Sequence, residues 1–70
     1  MGKILFHKGD IVAVAEVDKN DKAEGIRIGD IFKVVEYDYV PRCKPVSSKC
    51  KRERYAFLQD QLILIDRGGN

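Results

Sequence analysis

Long apolar runs, tryptophan and a strong excess of one charge are all missing from this 70-residue chain. None of its apolar runs approaches the roughly 18 residues of a membrane-spanning helix. The first seven residues include one lysine and only three adjoining apolar residues, which is too few for the core of about 7–15 apolar residues in a signal peptide. We therefore expect a cytoplasmic protein that has no membrane partner.

Helical periodicity is also missing. No window of about 12 residues repeats its apolar positions at helical spacing, so we predict no substantial helix. The apolar residues instead form short β-branched runs at residues 11–15, 31–39, 55–58 and 62–65. Glycine, aspartate and proline separate these runs, a pattern typical of strands joined by turns. A single 3₁₀ turn is expected at Gln59–Gln61.

Two segments twenty residues apart, 8–14 and 28–34, share the pattern x-Gly-Asp-Ile-x-x-Val. Glycine permits positive φ in a turn, and aspartate can bond nearby backbone amides. The repeat therefore predicts two similar strand entries.

Neither face of residues 31–39 is apolar throughout, which predicts a bend or bulge before Tyr37. The predicted core consists of Ile11, Ala13 or Val14, Ile28, Phe32, Val34, Phe57, Leu62 and Ile65.

The order of these features resembles the SH3-like barrel. The chain begins with a Gly-Asp-led strand, which is followed by a polar loop at 16–27 and a second Gly-Asp-led strand. A hairpin at about 46–58, a tight turn and a closing strand come next. Residues 9–35 are similar to the KOW motif of ribosomal and transcription-elongation proteins, but Glu-Val-Asp stands at 16–18, where that motif has a glycine. Residues 60–65 resemble short proteins of phages and mobile elements.

The resemblance implies an all-β fold, a five-stranded SH3-like small barrel. We expect one domain over residues 1–70, with a disordered tail at 66–70. If a phage encodes the protein, it would act in the host cytoplasm.

Basic residues are concentrated in residues 40–54, the basic hairpin. This segment has six basic residues and one acidic residue, whereas the rest of the chain has seven basic and ten acidic residues. The six are Arg42, Lys44, Lys49, Lys51, Arg52 and Arg54. Three interpretations remain open: a solvated mobile loop, a nucleic-acid surface, and a surface for an acidic protein. Tyr37 and Tyr39, with Tyr55, lie beside the segment and could stack on bases.

The side chains that usually carry catalysis are sparse. Ser47 and Ser48, the only serines, have no nucleophile-elbow context. Cys43 and Cys50 are expected as free thiols, and a disulfide across the loop is the alternative. A zinc site usually needs four ligands, and His7 is the only other good ligand in the sequence. We expect a monomeric, non-catalytic binding module without metal or cofactor. Its partner would be nucleic acid or, alternatively, a protein, for instance a host protein that it inhibits.

Overall fold

A computed structural model describes residues 6–67, which form one five-stranded antiparallel sheet. The strands are β1 (Ile11–Val14), β2 (Ile31–Tyr37), β3 (Pro41–Ser47), β4 (Tyr55–Ala56) and β5 (Leu62–Asp66). Helix α1 (Lys19–Ala23) interrupts the β1–β2 loop, and a 3₁₀ turn occupies Gln59–Gln61. The all-β prediction and the 3₁₀ turn are therefore confirmed. Among the described residues, no helix is long and apolar enough to cross a membrane.

The strand order is β4-β3-β2-β1-β5, so within the described residues β4 and β5 are the two edges and the sheet is not closed. The tail predicted at 66–70 begins inside β5, which ends at Asp66, and Arg67 bonds to Asp10. Residues 68–70 lie outside the described part of the chain.

The two Gly-Asp segments form the same turn. In each, the aspartate carboxylate accepts the backbone N–H three residues earlier, from His7 to Asp10 at 2.8 Å and from Arg27 to Asp30 at 2.9 Å. The aspartate N–H donates back to that residue's carbonyl, at 3.0 Å in both turns. The prediction of two similar strand entries is thereby confirmed.

These turns also fasten the two strands that they open. Gly9 donates to the Val34 carbonyl at 2.7 Å, and Val34 donates to the Asp10 carbonyl at 2.8 Å. At the other end of the ladder, Gly29 donates to Val14 at 2.8 Å and Val14 donates to Asp30 at 2.9 Å. Each Gly-Asp pair therefore bonds the last valine of the opposite copy of the pattern.

The core lies on one face of the sheet. Its buried apolar side chains are Phe6, Val12, Val14, Ile26, Phe32, Val34, Cys43, Phe57 and Leu62. Phe32 and Phe57 meet edge to face, with ring centroids 5.0 Å apart. Edge-to-face contact is a preferred geometry for aromatic pairs.

Three predicted core residues were placed wrongly. Ile28 is 66% exposed and Ile65 is 56% exposed, while Ile11 is only half-buried. Ile11 and Ile65 lie in strands, where successive residues point to opposite faces, so choosing the wrong alternate residue exchanges the buried and exposed sets. Ile28 lies in the loop before β2. In β1 the buried residues are Val12 and Val14.

The segment after β2 also differs from expectation. β2 ends at Tyr37 rather than residue 39, and Pro41 already begins β3, upstream of the hairpin predicted at about 46–58. Pro41 is the first residue of its strand, and Pro45 lies beside a register shift; both are positions where a missing N–H is tolerated. A second register shift between Val34 and Glu36 confirms the predicted irregularity before Tyr37.

Candidate anion-binding surface

The outer face of the β2–β3 ladder carries adjacent cations. Lys33 and Lys44 are directly opposite each other, and Arg42 lies two residues before Lys44 on the same face of β3. Residues two apart on a strand are separated by roughly 7 Å. Arg42 is opposite Glu36. Lys33, from outside the basic hairpin, was missed at the sequence level because its position beside Lys44 depends on the strand register.

The loop after β3 is held against the segment that follows α1. Lys51 donates its backbone N–H to the Glu24 carbonyl at 3.0 Å. The Ser48 hydroxyl donates to Asp30 at 2.7 Å and accepts the Cys50 N–H at 3.1 Å. These bonds tie residues 48–51 to the rest of the molecule.

Two of the six predicted basic residues form ion pairs. Arg52 lies 3.3 Å from Glu24, and Arg54 lies 3.5 Å from Glu36. Both pairs are partly exposed, so each contributes at most about 1 kcal/mol to stability. No other salt bridge involves the basic hairpin within residues 6–67.

Three arginines converge on one hollow of about 480 Å³, which we call the arginine groove. Arg42, Arg52 and Arg54 line it, together with residues of α1 and β4. Those residues are Asn20, Ala23, Glu24, Tyr55 and Ala56. Lys49 lies elsewhere, in a separate hollow beside Arg27 at the second Gly-Asp turn.

The tyrosines divide by exposure. Tyr39 is 90% exposed in the β2–β3 turn, whereas Tyr37 is half-buried and donates its hydroxyl to Gln59. Tyr55 packs on Phe57, with ring centroids 5.0 Å apart. Of the two tyrosines predicted as binding residues, Tyr39 alone presents a free ring to solvent.

A buried polar cluster joins α1 to the far edge of the sheet. Asp21 accepts the Tyr55 hydroxyl at 2.5 Å and the Gln61 side-chain amide at 2.7 Å. It also accepts the Asp18 N–H at 3.0 Å, while Asp18 caps α1 by accepting the Asp21 N–H at 2.9 Å. This reciprocal capping box explains a five-residue helix that is too short for periodicity to reveal.

The cluster changes the ionisation of its members. Burial by itself raises the pKa of Asp21, but the hydrogen bonds from Tyr55, Asp18 and Gln61 outweigh it and hold the pKa below its ordinary value. Burial and the Asp21 carboxylate raise the pKa of Tyr55 above its ordinary value. The hydroxyl therefore remains a donor, and the carboxylate remains charged.

Both cysteines are free thiols. Cys43 is in the core, where burial raises its pKa to about 12, and Cys50 is half-buried. Within residues 6–67, no group of three or more histidine, cysteine or carboxylate side chains is arranged to hold a metal ion.

Comparison with known proteins gives no relative. No protein-family model matches the chain, and no curated protein or solved structure matches it.

Proposed function

We propose that the chain is a non-catalytic binding module that holds a nucleic acid against its basic hairpin. The partner's phosphates would lie over the outer face of β2 and β3, between Lys33, Lys44 and Arg42. Lys49 and Lys51 beyond the end of β3, with Tyr39 at the opposite turn, would extend the contact. The module would act as a monomer in the cytoplasm, that of the host if a phage encodes it.

The observation that carries this proposal is the pairing of Lys33 with Lys44. Like charges directly opposite each other on an antiparallel ladder destabilise it. A phosphate between the two ammonium groups would relieve the repulsion and release counterions. Glu36, which is opposite Arg42 on this face, is already engaged by Arg54.

A non-catalytic role accords with the part played by the buried carboxylates. Asp10 and Asp21 each accept backbone N–H groups that hold a turn or a helix, and half-buried Asp30 does the same. Asp10 further pairs with Arg67 at 3.2 Å. Each of these carboxylates therefore stabilises local structure.

The SH3-like barrel is the fold that we propose for this module. The central position of β1, between β2 and β5, supports it, as does the 3₁₀ turn between β4 and β5. The bulged β2 can bend so that its two halves belong to two layers.

The test is binding of short labelled duplex DNA, single-stranded DNA and RNA, measured by fluorescence anisotropy at about 50 mM salt. The double variant Lys33→Gln with Lys44→Gln removes two phosphate contacts, so affinity should fall on the order of a hundredfold. Lys19→Gln with Lys22→Gln changes the same number of exposed lysines on α1 and should leave binding within about twofold.

Either of two results would refute the proposal. One is a parent protein that binds all three nucleic acids more weakly than about 100 μM at this salt concentration. The other is an equal loss of affinity in both double variants, which would mean that only total charge matters.

An acidic protein is the second candidate partner. The arginine groove supports this candidate, because guanidinium groups bind the carboxylates of acidic side chains in bidentate pairs.

A further inference from the structure

The hollow beside β4 is longer than the arginine groove alone. A second hollow of about 360 Å³ adjoins it, and both are lined by Asn20, Tyr55 and Ala56. The two hollows therefore lie side by side between α1 and β4, and we call them together the channel. One end has the three arginines. The other end is lined by Val40, Phe57 and Leu58, the last of which is 60% exposed, and by the polar side chains of Asp18, Asp21 and Gln61.

The floor of this channel is a strand edge that pairs with no other strand within residues 6–67. β4 is the last strand of the sheet, and its pairing with β3 opposes Arg42 to Ala56 and Cys43 to Tyr55. Phe57 donates to the Pro41 carbonyl at 3.1 Å, so 41 and 57 form a hydrogen-bonded pair. Hydrogen-bonded and non-bonded pairs alternate along an antiparallel ladder. The N–H and C=O of Ala56 therefore point away from β3, and Ala56 lines both hollows of the channel.

We infer that this channel binds an extended protein segment as an added strand beside β4. The segment would pair its main chain with Ala56, place acidic side chains among Arg42, Arg52 and Arg54, and place an aliphatic side chain against Leu58. Strand addition of this kind takes affinity from main-chain hydrogen bonds and specificity from alternate side chains.

A nucleic-acid strand fits this channel less well. It has no peptide main chain to pair with the Ala56 edge, and it has no aliphatic side chain for the Leu58 end. The arginines supply the charge complementarity, since three guanidinium groups and one carboxylate, Glu24, line their end of the channel. Arg52 pairs with Glu24 and Arg54 with Glu36, whereas Arg42 has no salt bridge within residues 6–67. The inference does not rest on nucleic-acid binding at Lys33 and Lys44, which are absent from the channel lining.

Two labelled ten-residue peptides provide the probes. In the first, glutamate alternates with threonine in one half and leucine alternates with threonine in the other; the second peptide has the halves in reverse order. A third peptide, with lysine in place of glutamate, controls for charge. We expect one of the two acidic peptides to bind and the lysine peptide not to bind.

Substitutions then locate the binding. Ala56→Pro removes the outward N–H without removing a bond to β3, and an edge strand tolerates proline. It should weaken peptide binding at least tenfold, as should Arg52→Gln with Arg54→Gln. Lys33→Gln with Lys44→Gln is the control on the other surface and should leave peptide affinity unchanged. Circular dichroism of each variant should match that of the parent.

Four results would overturn the inference. The first is the absence of binding by both acidic peptides up to about 500 μM. The second is full affinity in a folded Ala56→Pro variant. The third is loss of peptide binding in the Lys33 and Lys44 variant. The fourth is displacement of the peptide by single-stranded DNA that also loses affinity on Ala56→Pro, which would assign the channel to nucleic acid.

Discussion

Tyr55 and Asp21 show how single side chains fix the walls of the channel. Asp21 is 3% exposed and belongs to α1, while Tyr55 belongs to β4. Their 2.5 Å hydrogen bond links the two elements directly through side chains. A hydrogen bond to a charged group contributes about 1.5–3 kcal/mol to stability.

Tyr55→Phe should therefore lower the free energy of unfolding by about 1.5–3 kcal/mol at neutral pH. The folded-state pKa of Asp21 is below its ordinary value, so its charged form stabilises the fold above that value, and this contribution disappears as the pH falls through the folded-state pKa. The cost of Tyr55→Phe should shrink in the same acidic range. Urea unfolding at neutral pH and at about pH 3 measures both effects.

Tyr39→Phe is the matched control, because the Tyr39 side chain is almost fully exposed. It should leave the free energy of unfolding unchanged at both pH values. A Tyr55→Phe variant as stable as the parent at neutral pH would show that the Asp21 cluster contributes nothing to the fold.

Individual core positions were only partly predictable from the sequence. Phe32, Val34 and Phe57 were identified because they are large apolar residues inside clear strand runs, and all three are buried. Ile26 and Ile28 were not distinguished, because both stand in a loop where no alternation assigns a face. Lys33 was missed for a related reason, since the strand register that brings it to Lys44 depends on the turn at residues 38–40.

At the scale of elements, glycine conformation positions the loop that follows β3. Gly25 has φ of +92°, and a Cβ placed there would lie 2.6 Å from the Lys49 carbonyl oxygen. Gly29 has a similar φ of +96°, but a Cβ there would meet no atom within 4 Å. The two glycines share the conformational requirement and differ in the space around them.

Gly29→Ala should cost about 1–2 kcal/mol, the penalty for an L-residue at positive φ. Gly25→Ala should cost more, because the Lys49 backbone must also move and the Lys51–Glu24 hydrogen bond should lengthen or break. Thermal unfolding measures the difference in stability, and hydrogen exchange at the Lys51 amide reports the loop. Equal costs for the two substitutions, with unchanged exchange at Lys51, would show that the loop does not depend on this contact.

The elements themselves were predictable where a strong local signal exists. The Gly-Asp pattern located the starts of β1 and β2 because each turn is made by its own residues. The bounds of β3 were not predictable, because its two prolines look like turn signals in the sequence. In the structure both lie within the strand, at positions where its pairing needs no N–H. Helix α1 is held by the Asp21 contacts with Tyr55 and Gln61, which are 34 and 40 residues away in sequence.

At the scale of the whole molecule, the charge asymmetry seen in the sequence becomes two surfaces. Lys33, Arg42 and Lys44 lie on the outer face of β2 and β3, while Arg52 pairs with Glu24 beside α1. Arg54 lines the same groove as Arg52 and pairs with Glu36 of β2. Arg42 borders both. The proposed nucleic-acid and peptide partners would therefore bind adjoining but separable sites on one small module.

The salt dependence of nucleic-acid binding tests the proposed function most directly. Each phosphate neutralised on duplex DNA contributes about −0.9 to the slope of log affinity against log salt. If Lys33, Arg42 and Lys44 each contact a phosphate, the parent slope should be about −2.7 or steeper, and Lys33→Gln with Lys44→Gln should make it shallower by about 1.8. Lys19→Gln with Lys22→Gln should leave the slope at the parent value. A parent slope near zero, or the same slope in the parent and the Lys33 and Lys44 variant, would contradict the account.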